Sequence, residues 1–201
     1  FSQSLIGCDD GQEFLPVAAI YGPNAGGKSN LLKALDYVRS AVTRPIIMLS
    51  HGSGFPTGDV PPLQRCAPFV FDQEHSKMPS SFELYFRVGD YEYRYNLSVS
   101  GSDIAAEGLS RRKVGASRSA LIFERDGSAV KLGSSLRRSG VSVSFNPAIP
   151  YLSYLYMNTD VEAVNAVVGW FLAGVFLNYN SSYLERALEN ILDESDSPAI
   201  T

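Results

Sequence analysis

The feature that most constrains this sequence is a glycine-rich motif, Gly22-Pro23-Asn24-Ala25-Gly26-Gly27-Lys28-Ser29. It matches the phosphate-binding pattern of a glycine, four free positions, then Gly-Lys followed by serine or threonine. Such a motif requires a buried strand before it and an amphipathic helix after it. The apolar run at residues 14–21 predicts the strand. The helix is indicated by apolar residues at steps near three and four, namely Leu31, Leu32, Leu35 and Val38.

Each residue type in this P-loop has a chemical task. Its three glycines can adopt positive φ and admit phosphate close to the backbone. Successive N–H groups form a nest for anions, and the helix N-terminus adds its partial positive charge. Lys28 is predicted to reach the β- and γ-phosphates as the catalytic residue, and the Ser29 hydroxyl is predicted to ligate Mg²⁺. The predicted nucleotide-binding set is Gly22, Pro23, Asn24, Ala25, Gly26, Gly27, Lys28, Ser29 and Asn30.

The nucleotide is predicted to be ATP, because the Asn/Thr-Lys-x-Asp sequence that reads guanine is absent. Hydrolysis also needs an acid on the Mg²⁺, usually at the end of an apolar strand. The only Asp-Glu pair, Asp193-Glu194, follows just two apolar residues and resembles a helix end. Asp103, Asp126 and Asp160 are better explained as turn or cap residues. We therefore expect the chain to hold part of a catalytic site and to be inactive as an ATPase by itself.

The rest of the chain predicts a mixed α/β fold. Alternating residues predict strands at 81–86 and 91–95 joined at Gly89-Asp90. A second hairpin is predicted at 121–125 and 129–132 with its turn at Asp126-Gly127. Helices are predicted from Asn158 or Asp160 to Leu172 and from Ser182 to Leu192, and Pro45 should end the first helix. The predicted organisation is one lobe with a P-loop unit (1–45), a β-rich part (63–145) and a helical part (146–201).

Charge and composition exclude several classes. The chain has 17 basic and 21 acidic residues, a net charge of -4, so nucleic-acid binding is possible but not indicated globally. Two local basic clusters, which we interpret as solvated loops, are Arg111, Arg112, Lys113 and Arg118, and Lys131, Arg137 and Arg138.

No metal spacing or membrane signal is evident in the sequence. The most apolar stretch, 161–177, carries Glu162, Asn165 and Trp170 and predicts a buried helix rather than a membrane span. The two cysteines, Cys8 and Cys66, are expected to be reduced thiols in a cytoplasmic protein. The start of the chain lacks the features of a signal peptide and an initiator Met, so we expect it to be part of a longer protein.

The P-loop region, from Ala18 to Leu35, resembles that of bacterial AAA-family ATP-binding proteins of the ABC/SMC-like type, including the ATPase parts of OLD-type nucleases and abortive-infection proteins. Segments 79–86, 93–95, 104–109 and 121–125 resemble the β-meander of that family. The resemblance implies a P-loop NTPase head lobe of the ABC type, with an antiparallel β-meander and a C-terminal helical segment. It also implies Mg-ATP sandwiched between two heads, most simply in a homodimer, that switches an effector in antiphage defence.

The chain departs from that family in the segment that would carry the signature motif and the Walker B acid. Leu132-Gly133-Ser134-Ser135 is a poor candidate for the signature motif, and Gln64 and Gln73 remain alternatives for the Q-loop glutamine. The resemblance implies that a further C-terminal segment or an effector protein supplies what is missing. A rival hypothesis is a non-catalytic nucleotide-sensing module, with the β-meander and the helix carrying Trp170 as a docking face. A P-loop kinase is disfavoured because an antiparallel insert follows the first helix.

Overall fold

The structure is a computed structural model that describes residues 6–7, 11, 13–24, 26–50, 63, 78–138, 140 and 145–174. Among these residues there are seven strands and four helices. The strands are β1 (Ile6–Gly7), β2 (Glu13–Phe14), β3 (Ser80–Val88), β4 (Tyr91–Ser100), β5 (Asp103–Lys113), β6 (Ala120–Asp126) and β7 (Ala129–Leu132). The helices are α1 (Lys28–Ser50), α2 (Ser134–Arg138), α3 (Tyr151–Asn158) and α4 (Glu162–Ala173).

A five-stranded antiparallel sheet dominates the described residues, with the strands in the chain order β3-β4-β5-β6-β7. The predicted hairpin at Gly89-Asp90 is confirmed, since Val88 pairs with Tyr91 and Gly89 has a φ of 56°. The second predicted hairpin is also confirmed, with Asp126 paired to Ala129 around Gly127. Each strand is linked to the next by a short turn, so the sheet is a meander.

The two faces of this sheet differ in polarity because successive side chains point to opposite sides. On β4 the inward residues Tyr93, Tyr95 and Leu97 are buried, whereas Arg94 between them is exposed. The inward face packs on α1, α3 and α4, whose buried side chains include Val42, Leu152 and Val167. The described core is therefore a two-layer α/β arrangement with an open outer face.

Helix α1 is longer than expected because it continues through Pro45 to Ser50. Proline removes one backbone hydrogen bond and costs about 3 kcal/mol inside a helix. Val42 and Ile46 on either side of Pro45 are buried in the core. Their packing outweighs the proline penalty, so the prediction that Pro45 ends the helix was wrong.

The helical region also differs from the prediction at its start. Helix α3 lies within the predicted helical part (146–201) but before Asn158, so no individual helix was predicted over its buried Tyr151, Leu152 and Leu155. Helix α4 was predicted, but its N-cap is Val161, without a side-chain cap. The two expected caps are used otherwise: the Asn158 amide donates to Tyr154 O, and the Asp160 carboxylate accepts from the Asn165 amide.

A buried polar group ties the sheet to α3. The Glu107 carboxylate on β5 accepts hydrogen bonds from the backbone N–H groups of Tyr151 (2.6 Å) and Leu152 (3.0 Å), and from the Tyr95 hydroxyl (3.0 Å). Arg125 on β6 lies 3.6 Å from the same carboxylate. Helix α3 has no cap from its own side chains, so Glu107 satisfies its first amides from a distant strand.

Arg125 is held by backbone oxygens as well as by Glu107. Its guanidinium donates to the carbonyls of Gly127 (2.7 Å), Pro147 (2.7 Å) and Ile149 (2.9 Å). The guanidinium also lies 4.7 Å from the ring centroid of Phe145. These contacts fix the loop before α3 against the end of β6.

The predicted strand at 14–21 is largely absent. Only Phe14 belongs to a strand, and that strand pairs with Ile6–Gly7 rather than with the large sheet. Leu15, Val17, Ile20 and Tyr21 are exposed, Tyr21 to 91%. A strand needs a hydrogen-bonding neighbour, and residues 15–21 have none among the described residues, so the prediction that they form a buried strand was wrong for this structure. No described helix combines the length and apolar character that a membrane crossing requires.

Candidate functional site

The P-loop lies between the irregular segment 15–21 and the N-terminus of α1. Gly27 has a φ of 84°, a conformation that glycine adopts without strain, and α1 begins at the next residue, Lys28. The Gly27 carbonyl accepts from the N–H groups of Asn30 (2.9 Å) and Leu31 (3.3 Å). The sequence therefore forms the predicted loop and helix start.

A second glycine of the loop is required by close packing. The Gly26 N–H donates to the Pro23 carbonyl at 3.1 Å, which closes a tight turn. A Cβ at Gly26 would lie 2.9 Å from that same oxygen. Only glycine fits here without a shift of the turn.

Lys28 folds back over its own loop. Its Nζ donates to the carbonyl oxygens of Gly22 and Pro23, both at 2.6 Å. These contacts hold the ammonium group at the concave side of the loop, six and five residues before it in sequence. The ammonium group therefore lies at the loop rather than extending into solvent.

The residues present fit Mg-ATP. The fit rests on the tight Gly26 turn, the positive φ of Gly27 and an ammonium group placed at the loop. The N–H groups of Asn30 and Leu31 bond to Gly27 O, so the two before them, on Lys28 and Ser29, are the ones suited to phosphate oxygens. Ser29 is exposed beside them and offers a hydroxyl of the type that ligates Mg²⁺.

Other predicted site residues are placed elsewhere or are outside the description. Ala25, Gln64, Gln73 and the pair Asp193-Glu194 lie outside the described residues. Asp103 and Asp126 flank turns of the sheet, as predicted. Among the described residues there is no group of three or more His, Cys, Asp or Glu side chains that could hold a metal.

Gly133, in the weak signature candidate, has a structural role. Its N–H donates to the Ile122 carbonyl at 2.7 Å, and a Cβ would lie 1.8 Å from the Leu121 carbonyl oxygen. Ser134, the next residue, begins α2. The Gly-Ser-Ser sequence is thus explained by the tight connection between β7 and α2 and not by a nucleotide contact.

Trp170, named in the rival docking hypothesis, is part of the packing between α4 and the sheet. Its ring stacks on Phe86 with centroids 4.1 Å apart, and it meets Phe171 edge-on at 5.2 Å. These contacts favour a packing role for this aromatic group.

The outer face of the sheet carries a shallow cleft of about 700 Å³ above β5. Its floor is made by the small outward residues Ala106 and Gly108, and a Cβ at Gly108 would meet the Asn96 side chain at 2.6 Å. Among the charged side chains that line it, Lys131 pairs with Glu124, and Arg94 pairs with Glu83. The sequence did not reveal this cleft, because it depends on which strands are neighbours.

The structure thus has a glycine-rich loop directly before a long helix, and the same helix contributes to the core under an antiparallel sheet. Comparison with known protein families then gives one family match, described as "AAA domain, putative AbiEii toxin, Type IV TA system", over residues 17–152. The chain belongs to this family of AAA domains, which is P-loop ATPase-like. The match extends from the P-loop through the whole five-stranded sheet to the start of α3. Searches among curated proteins and among solved structures gave no match.

Proposed function

We propose that this chain binds Mg-ATP at the P-loop and serves as one head lobe of an ABC/SMC-like ATPase. The nucleotide-contacting set is residues 22–30, with Lys28 on the phosphates and Ser29 on the metal. The observation that carries the proposal is the loop itself, in which Lys28 Nζ is held at the carbonyls of Gly22 and Pro23 at the start of α1. Membership of the AAA domain family supports it.

The proposed role of Lys28 follows from these contacts. Phosphate would draw the ammonium group away from the two carbonyls, because a charge-assisted hydrogen bond to an anion is stronger than one to a neutral oxygen. The loop amides and the helix N-terminus would then hold the remaining phosphate oxygens. Bound Mg²⁺ would supply charge neutralisation at the phosphates.

A second part of the proposal concerns what completes the site. Residues 15–21 are apolar yet exposed, and Leu31 and Leu32 at the start of α1 are each 48% exposed. We assign these side chains to an interface with further strands of the ATPase head, which would bring the acid for Mg²⁺. Two such heads would close on ATP, and the cycle would switch an effector of abortive-infection type. A cytoplasmic location is part of this proposal.

Calorimetry tests the proposal directly. Mg-ATP should bind the wild-type chain, and Lys28→Ala should weaken binding by about 10- to 100-fold, the loss of one or two charge-assisted hydrogen bonds. Lys33→Ala is the matched control, because this exposed lysine lies on the same helix beyond the loop. Equal binding by wild type and Lys28→Ala would contradict the proposed site.

Phosphate release measured in parallel tests whether this chain alone holds the acid that hydrolysis requires. Binding without turnover is expected for a lobe that lacks its Mg²⁺ acid. Turnover by this chain alone would contradict the proposal that it holds only part of a catalytic site. Asp193→Ala and Glu194→Ala would then identify the acid. GTP should compete poorly with ATP if the predicted preference holds.

A further inference from the structure

The fold brings the first basic cluster, residues 111–118, and the helical part of the second, Arg137 and Arg138, to one end of the sheet. Arg111, in the first cluster, pairs with Ala120 at the start of β6. Gly133, which leads into the second cluster, donates to the Ile122 carbonyl on the same strand. Helix α2, which carries Arg137 and Arg138, therefore begins close to the strand end that holds Arg111.

Three further strand ends meet at this place. Strand β3 ends where β4 begins, with Val88 opposite Tyr91, and Tyr91 is opposite Lys113 at the end of β5. We call this region the basic end, defined by its basic side chains: Arg87, Arg111, Arg112, Lys113, Arg118, Arg137 and Arg138.

Carboxylates at the basic end neutralise only part of this charge. The Arg112 guanidinium bonds the Glu92 carboxylate, and Arg111 Nη1 lies 3.9 Å from Glu162. The other described carboxylates next to these positions in the chain are Asp90, in the β3–β4 turn, and Asp160, just before α4. Counted with Glu92 and Glu162, they set four carboxylates against the seven cations, a local excess of three positive charges in a chain of net charge -4.

Four of the cations are exposed and have no carboxylate partner among the described residues. They are Lys113, Arg118, Arg137 and Arg138, and they lie on the end of β5, the β5–β6 turn and α2. Five strands at about 4.8 Å spacing make the basic end about 19 Å wide. Duplex DNA carries one negative charge per about 1.7 Å of axis, so this width matches the backbone of roughly six base pairs.

The chemistry of the basic end favours a duplex backbone over other partners. Tyr91 is covered by the Arg111 guanidinium at 4.3 Å, and Phe86 is stacked on Trp170. These aromatic rings are engaged within the protein and are not placed to stack on unpaired bases. A protein partner would need an apolar interface core, whereas the exposed side chains here are long cations and small turn residues.

We propose that the basic end binds the phosphate backbone of double-stranded nucleic acid without sequence preference. This binding site is separate from the P-loop and does not depend on the proposed ATPase function. The acidic net charge of the chain does not exclude this binding, because the excess of positive charge is local to the basic end.

Fluorescence anisotropy with a labelled duplex of 20 base pairs, without nucleotide, tests this proposal. The logarithm of the binding constant should fall linearly with the logarithm of salt concentration, with a slope of about -0.9 per phosphate contact. Lys113→Ala/Arg118→Ala should make the slope shallower by about 1.8, and adding Arg137→Ala by about a further 0.9. The further change on adding Arg137→Ala would show that the two clusters act at one site.

Arg94→Ala/Lys131→Ala is the charge-matched control, because it removes two cations that are paired on the outer face of the sheet. It should leave the slope nearly unchanged, and thermal melts should show that all variants are folded. The proposal is overturned if the duplex does not bind at 50 mM salt or if the control and the test variant lose equal affinity. It is also overturned if poly-glutamate binds and the duplex does not, since the partner would then be an acidic polypeptide.

Discussion

At the scale of single residues, glycines and buried charges decide where substitution is tolerated. Gly133 and Gly169 can be compared directly. Gly133 is enclosed by neighbouring backbone, whereas the space beside Gly169 is open. A Cβ at Gly133 would overlap the Leu121 carbonyl oxygen, whereas a Cβ at Gly169 on α4 meets nothing within 4 Å.

The same substitution should therefore have opposite effects at the two positions. Gly133→Ala is expected to lower the free energy of unfolding by about 3 kcal/mol or more, because the β7–α2 crossing must shift. Gly169→Ala should raise it by up to about 1 kcal/mol, since alanine favours a helix interior. Urea titration of both variants measures the difference. An unchanged stability of Gly133→Ala would show that the crossing is not as close as described.

The buried Glu107 predicts a dependence of stability on pH. Burial raises the pKa of Glu107 above its usual 4.5, while the backbone N–H groups of Leu152 and Tyr151 and the charge of Arg125 act in the opposite direction. The folded state thus holds this proton to higher pH than the unfolded state. Glu107 contributes most below pH 4.5, and its contribution falls as the pH rises through the folded-state pKa.

Glu107→Gln isolates this contribution, because glutamine keeps an acceptor oxygen but does not titrate. The free energy of unfolding of wild type minus that of Glu107→Gln should decrease as the pH rises from 4.5. Denaturant titrations across that range measure it. A difference that grows with pH would mean that Arg125 and the amides hold the pKa of Glu107 below its usual value.

At the scale of elements, the strand pattern separates a core face from a solvent face. Neighbouring residues on β3 illustrate it: Phe86 stacks on Trp170 and Tyr93, whereas Tyr85 is 72% exposed. The alternation of β3 and β4 was visible in the sequence, and both hairpins were predicted correctly. Helix α3 was missed because its first amides are satisfied by Glu107, a residue on another element, which no local pattern can show.

Truncating these two aromatic residues should distinguish the faces. Phe86→Ala is expected to cost about 3 kcal/mol, because it removes a stacked ring between α4 and the sheet. Tyr85→Ala should cost less than about 1 kcal/mol, because the ring is exposed and makes one hydrogen bond, to Glu83. The single tryptophan, Trp170, reports unfolding by fluorescence. Similar losses in both variants would contradict the assignment of the two faces.

At the scale of the whole molecule, the sequence predicted the mixed α/β class and the P-loop helix, but not the state of the segment before the loop. Residues 14–21 have the apolar composition of a buried strand. Whether the strand forms depends on neighbouring strands, which the segment itself does not encode. The position of the basic end was equally hidden, since it arises from strand order.

The exposed segment predicts how the chain behaves in solution. Val17→Ser/Ile20→Ser should reduce self-association in sedimentation experiments, because exposed apolar side chains promote association. The melting temperature should change little, as neither side chain belongs to the described core. The comparison is Val164→Ser, at a fully buried position on α4, which should lower the melting temperature clearly. A comparable drop in melting temperature for the double variant would show that the side chains of residues 17 and 20 are packed.

The carboxylate that closes the start of α3 also has a consequence for the order of folding. Glu107 reaches amides 44 and 45 residues further along the chain. A helix of eight residues does not persist alone, since isolated helices shorter than about 12 residues are marginal in water. Helix α3 must therefore form after β5 has found its register. Substitutions at the half-buried Tyr154 and Tyr156 of α3 should speed unfolding while leaving the refolding rate, measured by stopped-flow fluorescence, nearly unchanged.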